Sequence, residues 1–154
     1  MTPVIFKLLP EAVWVDAPVD KAAILTALAR RFAKVYALDE SEVLDGLMER
    51  EALGSTGFGR SIALPHARIE GLRRPVAALL KLEAPVDFAA ADRLPVDLVI
   101  GLLSPANAGA VHLHALAALS RLVRDEHMHR ALTEAPDTET LYALLTNASD
   151  RDAA

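Results

Sequence analysis

Five histidines carry most of the chemical potential of this sequence: His66, His112, His114, His127 and His129. Histidine titrates near neutrality, so it can exchange protons, bind metal or act as a nucleophile at physiological pH. His66 sits in Ala63-Leu64-Pro65-His66-Ala67-Arg68. Pro65 removes a backbone donor and fixes the chain beside it. An imidazole at the end of a short apolar segment, held by a rigid neighbour and flanked by Arg68, is placed for chemistry. The same few residues also fit a surface-loop histidine, because Pro-His alone is a weak signal.

His112-Leu113-His114 and His127-Met128-His129 invite a metal reading. Both segments have helical periodicity, and on a helix residues i and i+2 point about 200° apart. Neither pair can share one ion. No cysteine and no His-x-x-x-His supports a site, so no metal and no cofactor is expected. His114, His127 and His129 read as solvated helix residues. His112 differs, because it stands near a helix start, where unpaired N–H groups and a partial positive charge attract anions. Gly54-Ser55-Thr56-Gly57-Phe58-Gly59 is glycine-rich but lacks the Gly-Lys-Ser/Thr ending of a nucleotide-binding P-loop. It reads as a bend that lets backbone approach a partner or His66. No Ser-His-Asp signature is present.

The elements that must position these residues can be read from periodicity. Ala12–Asp16 has strand composition. Asp20 caps a helix whose Ile24, Leu25, Leu28, Ala29, Phe32 and Val35 share a face. A second helix begins at Asp39–Ser41, carries Val43, Leu44, Leu47 and Met48 on its apolar stripe, and runs to about Glu51. Residues 54–59 form a loop. Ile62-Ala63-Leu64 reads as a short strand ended by Pro65. Val76–Leu82 and Val96–Leu103 are apolar runs typical of buried strands, with Val86–Phe88 a possible short strand between them. The last third is helical: a long amphipathic segment over Val111–Leu122, a short helix at Glu126–Glu134 and a closing one at Thr138–Leu145. A polar tail follows from Asn147. Helices, then closely spaced strands, then helices predict an α/β fold with a central mixed β-sheet and helices on both sides.

Bulk properties narrow the function. The chain has 154 residues, enough for one domain with a core at about 12–146. The formal net charge is -5, which argues against a nucleic-acid binder. Without cysteine, disulfides and thiolate catalysis are excluded. Lys7 and Pro10-Glu11 interrupt the N-terminal apolar stretches, so no signal peptide is read. The apolar run Leu98–Leu103 is too short for membrane insertion, and a cytoplasmic protein is expected.

Taken together, Arg50-Glu51, Gly54–Gly59 and Ile62–His66 resemble the active-site region of type-2 enzyme IIA domains of the phosphotransferase system, the fructose, mannitol and nitrogen-regulatory group. The resemblance continues through Ala84–Phe88, Pro95–Leu98, Leu103–Pro105 and His112–Leu116. It covers about Lys21 to Leu145, and the glycine-rich loop and His-Leu-His segment look closest to the nitrogen-regulatory branch. Ala67 departs from the pattern, because many relatives have Gly there.

The resemblance implies that His66 is the phosphorylated histidine, with His112 a second active-site histidine and Arg50 near the phosphoryl group. Thr56 and Arg68 are candidate neighbours. Read without the family, Arg50 is only a helix-end cation favoured by the dipole. The residue types suit phosphoryl transfer, which needs positioning and charge stabilisation around a nucleophile that also leaves well. The implied partner is an HPr-like phosphocarrier of the nitrogen branch, with regulated targets such as a potassium transporter or a sensor kinase. A sugar-specific enzyme IIA that passes phosphate to a IIB domain is the near alternative. A binding module with a vestigial histidine and a histidine-dependent hydrolase are more distant ones.

Overall fold

The computed structural model describes the backbone of residues 5–153 and the side chains of residues 5–147. Six strands and five α-helices lie among the described residues. After a 3-10 turn at Pro10–Ala12 come β1 (Val13–Asp16), α1 (Lys21–Tyr36), α2 (Glu40–Ala52), β2 (Gly57–Gly59), β3 (Ile62–Ala63) and β4 (His66–Ile69). Then follow β5 (Val76–Val86), β6 (Val96–Pro105), α3 (Gly109–Arg124), α4 (Glu126–Glu134) and α5 (Thr138–Ala153). The side chains of the polar tail after Asn147 lie outside the described residues. No helix among the described residues is long and apolar enough to cross a membrane.

The sheet has the order β1-β5-β6-β3-β2, with β4 also on β6. It is mixed: β5 and β6 are antiparallel, while β1 joins β5, and β3 and β4 join β6, in parallel. Val76–Leu80 and Leu98–Leu103 are buried at every residue, so both faces of the sheet are covered. Helices α1 and α2 pack together against β5 and β4, and α3, α4 and α5 form a second group against β6 and β1. Gly101 marks how closely α1 sits: a Cβ there would lie 2.9 Å from the Phe32 ring. The expected α/β fold with helices on both faces is the fold observed.

The caps follow the sequence. Asp20 accepts from the Ala23 N–H, and Asp39 from the Ser41 N–H, each relieving an orphan donor of a helix start. Met48, expected on the apolar stripe of α2, is instead 48% exposed.

Three elements differ from expectation. Gly57–Gly59 is not loop but strand, joined to β3 by the two-residue turn Arg60-Ser61. Both residues have positive φ, as a type I′ turn requires, yet neither is Gly or Asn. The turn is held from outside: Asp92 accepts from the Arg60 N–H at 2.7 Å, and His129 Nε2 donates to the Arg60 carbonyl at 2.8 Å. Second, Pro65 interrupts the strand edge rather than ending it. Its carbonyl still accepts from the Leu102 N–H, and pairing with β6 resumes at His66. His66 therefore opens a strand. Third, β5 runs on to Val86 through a register shift.

Tyr36 fastens the N-terminal segment to the sheet. Its hydroxyl lies 2.7 Å from the Ala77 carbonyl and 3.3 Å from that of Lys7, and it accepts from the Leu9 N–H. Burial pushes its pKa up to about 12. The stability tied to this phenol is full below its ordinary value of 10.0 and is lost as pH rises toward 12. Tyr36→Phe strands the Leu9 N–H and the Ala77 carbonyl, while the Lys7 carbonyl keeps the Ala77 N–H, and is expected to cost about 1–3 kcal/mol, read as a lower midpoint in urea unfolding.

Candidate functional site

Three segments distant in sequence meet in one open cleft of about 690 Å³, where Arg50 from α2, His66 from β4 and His112 from α3 line the wall. Small residues set their approach. Gly46 on α2 faces Ala67 on β4, and a Cβ on Gly46 would lie 3.2 Å from that of Ala67. One turn further along α2, Arg50 comes over His66. Ala67 therefore keeps a small side chain where the helix crosses the strand, and the backbone beside His66 is ordinary parallel strand.

Both ring nitrogens of His66 are engaged. Nδ1 lies 2.8 Å from the Leu64 carbonyl, and Arg50 Nε donates to Nε2 at 3.2 Å. A carbonyl only accepts, so Nδ1 carries the proton and Nε2 presents its lone pair. Arg50 is itself anchored, because its Nη1 donates to the Gly54 carbonyl at 2.9 Å. Pro65 contributes here. Its carbonyl takes the Leu102 N–H of β6, while Leu64, whose N–H goes to the Thr56 carbonyl, offers its own carbonyl to the imidazole.

The ring of His112 lies 5.6 Å from that of His66, tilted by 40°. Its Nδ1 is 2.7 Å from the hydroxyl of Ser104, a buried residue of β6. Sequence reasoning passed over Ser104. Its signals were its place just after the apolar run Val96–Leu103 and inside the Leu103–Pro105 segment of the family resemblance. The start of α3 has no side-chain cap, and its first residue, Gly109, lines the cleft. Arg68 is exposed and also lines the cleft. Thr56 does not line it. It is buried, and its hydroxyl and N–H both point to the carboxylate of Glu51.

His114 and His127 are exposed, whereas His129 is half-buried against the Arg60-Ser61 turn rather than solvated. Among the described residues no group of three or more His, Cys, Asp or Glu could hold a metal ion.

Burial and the neighbouring basic groups favour neutral imidazoles. Burial pushes the pKa of His66 below its ordinary 6.5; the Leu64 carbonyl opposes this, and Arg50 adds to it. His112 is lowered by burial, then by His66 and Arg68. A depressed folded pKa gives stability that is present above 6.5 and lost as pH falls through the folded values. Titration of the ring protons by NMR should give midpoints below 6.5 for both histidines, with that of His66 rising in Arg50→Ala.

An imidazole of fixed tautomer with its Nε2 lone pair presented, a guanidinium beside it and a helix N-terminus without a side-chain cap together suit chemistry on an anionic group. The family of the phosphoenolpyruvate-dependent sugar phosphotransferase system, EIIA 2, matches residues 8–148. The chain belongs to this family, whose members are phosphotransfer components of that system. It is similar to the nitrogen regulatory protein of Bradyrhizobium diazoefficiens, 37% identical over 137 residues, covering 88% of this chain and 90% of that protein. It is 36% identical over 107 residues to the fructose-specific EIIA component of Haloferax volcanii, covering 70% of each. Among solved structures it resembles the nitrogen regulatory protein IIA-Ntr of Neisseria meningitidis, with a TM-score of 0.83 and 29% identity over 90% of this chain and 95% of that one.

Proposed function

We propose that this protein accepts a phosphoryl group on Nε2 of His66 from an HPr-like phosphocarrier of the nitrogen branch, and that the phosphorylated fraction acts as a regulatory signal in the cytoplasm. The observation that carries the reading is the pair of contacts at the ring: Nδ1–H on the Leu64 carbonyl and Arg50 over Nε2.

In the transfer, the Nε2 lone pair of His66 attacks phosphorus as the bond to the donor's imidazole nitrogen breaks, and that bond's electron pair leaves with the donor. Positive charge grows on the His66 ring, and the Leu64 carbonyl stabilises it through Nδ1–H. Arg50 then turns its donors from the ring nitrogen to the phosphoryl oxygens. His112 and the first N–H groups of α3 face the same charge. No proton need leave the site, which suits a reversible carrier.

Incubation with enzyme I, an HPr-like donor and phosphoenolpyruvate should add the mass of one acid-labile phosphoryl group. Absence of the gain with donors of both the nitrogen and sugar branches would overturn the reading. The similarity to a fructose-specific EIIA component supports the sugar-specific alternative. Rapid passage of the phosphoryl group to a fructose- or mannitol-type IIB domain would favour that alternative. Retention of it, with partner affinity that differs between the two forms, would favour the regulator. Candidate targets are a potassium transporter or a sensor kinase.

A further inference from the structure

Glu51 follows Arg50 at the end of α2, but its carboxylate enters the protein rather than the cleft, and its side chain is only 7% exposed. A buried carboxylate is costly unless it is paired and hydrogen-bonded. Here Lys21 Nζ lies 2.6 Å from Oε2, which also accepts the Thr56 N–H at 2.8 Å, while Oε1 accepts the Thr56 hydroxyl. Lys21 is fixed in turn by the Phe88 carbonyl and ring. This arrangement folds residues 51–56 into a closed loop. From that loop the Thr56 carbonyl accepts the Leu64 N–H at 2.9 Å, and the Leu64 carbonyl accepts His66 Nδ1–H. On the other side of the same loop, the Gly54 carbonyl holds Arg50, which reaches His66 Nε2. Both ring nitrogens of His66 therefore lead back to the loop that Glu51 closes.

We propose that Glu51 is a positioning residue of the phosphoryl-acceptor site, fixing the Nδ1–H tautomer of His66 through Thr56 and Leu64 and the pose of Arg50 through Gly54. Its consequence for transfer rests on the acceptor reading above; its consequence for the tautomer does not. Glu51 touches no reacting atom. A carboxylate suits the task because it only accepts, and each hydrogen-bonding donor it meets belongs to Thr56 or Lys21.

The test is the ring tautomer of His66 by long-range proton–nitrogen NMR above its pKa, with the rate of phosphoryl acceptance measured alongside. Glu51→Gln keeps the shape but turns one acceptor into a donor that faces other donors. It should give a mixture of tautomers and slow acceptance by about tenfold to a hundredfold. Thr56→Val should move both readouts in the same direction, and Thr56→Ser should restore them. Tyr36→Phe, destabilised at the far end of α1, should leave the tautomer alone, which separates positioning from general loss of stability. If Glu51→Gln does not fold, the Thr56 pair decides. A wild-type tautomer and rate in both Glu51→Gln and Thr56→Val would overturn the proposal. Failure of wild type itself to take phosphate would sink the acceptor reading, while the tautomer comparison would still decide the role of Glu51.

Discussion

His66→Ala is expected to abolish phosphoryl acceptance, with no phosphoryl mass gained under conditions that modify the wild type fully. The neighbouring His112 is no substitute. Its ring is held 5.6 Å away by Ser104, with no counterpart of the Leu64 carbonyl and no Arg50 over its second nitrogen. Removing the proposed nucleophile leaves nothing for the surrounding charges to act on. The fold should survive. His66 is half-buried and contributes two hydrogen bonds, so its loss costs about 1–2 kcal/mol, visible as a modest fall in the thermal midpoint. A protein that is folded by circular dichroism yet inert to the donor is the expected combination.

Arg50→Ala should slow acceptance by about a hundredfold to a thousandfold, the range seen when one preorganised donor to a developing anion is removed. The loss should fall on the maximal rate more than on donor affinity, since in the proposed transfer the guanidinium meets the phosphoryl group rather than the donor surface. Arg50→Lys should recover only part of it. The ammonium keeps the charge but cannot hold the Gly54 carbonyl and the site together in the fixed fork of a guanidinium. Stability should change little, because Gly54 is exposed and water replaces the lost donor. Stopped-flow or quenched mass measurements over a range of donor concentrations separate the two effects.

Much of the fold was legible because periodicity and capping agree along the chain. The buried face of α1, Val43 and Leu47 of α2, the caps at Asp20 and Asp39, and the apolar runs of β5 and β6 all follow from residue type and spacing. What stayed hidden depends on tertiary contacts. The turn at Arg60-Ser61 has no turn signature of its own; Asp92 and His129, distant in sequence, hold its left-handed backbone. That is also why His129 reads as solvated in sequence but is not. The strand that resumes at His66 follows a proline whose carbonyl, not its missing N–H, maintains the ladder.

The site divides in the same way. His66 was visible locally as a constrained histidine, and His112 as a histidine at a helix start. Arg50 was legible only through the family pattern, because a cation at a helix end is ordinary until α2 is seen crossing β4 at Gly46 and Ala67. Thr56 stood in the right loop but faces Glu51 instead of the cleft, since a buried carboxylate draws the nearest donors. Ser104 had no local signal that set it apart from any serine at a strand end.

The most direct test of the central claim is phosphorus–nitrogen NMR on nitrogen-labelled protein phosphorylated by enzyme I, an HPr-like donor and phosphoenolpyruvate. The geometry predicts phosphorus coupled to Nε2 of His66, with the proton retained on Nδ1. Phosphorus on Nδ1 or on His112, or none incorporated into folded protein from either donor branch, would contradict it.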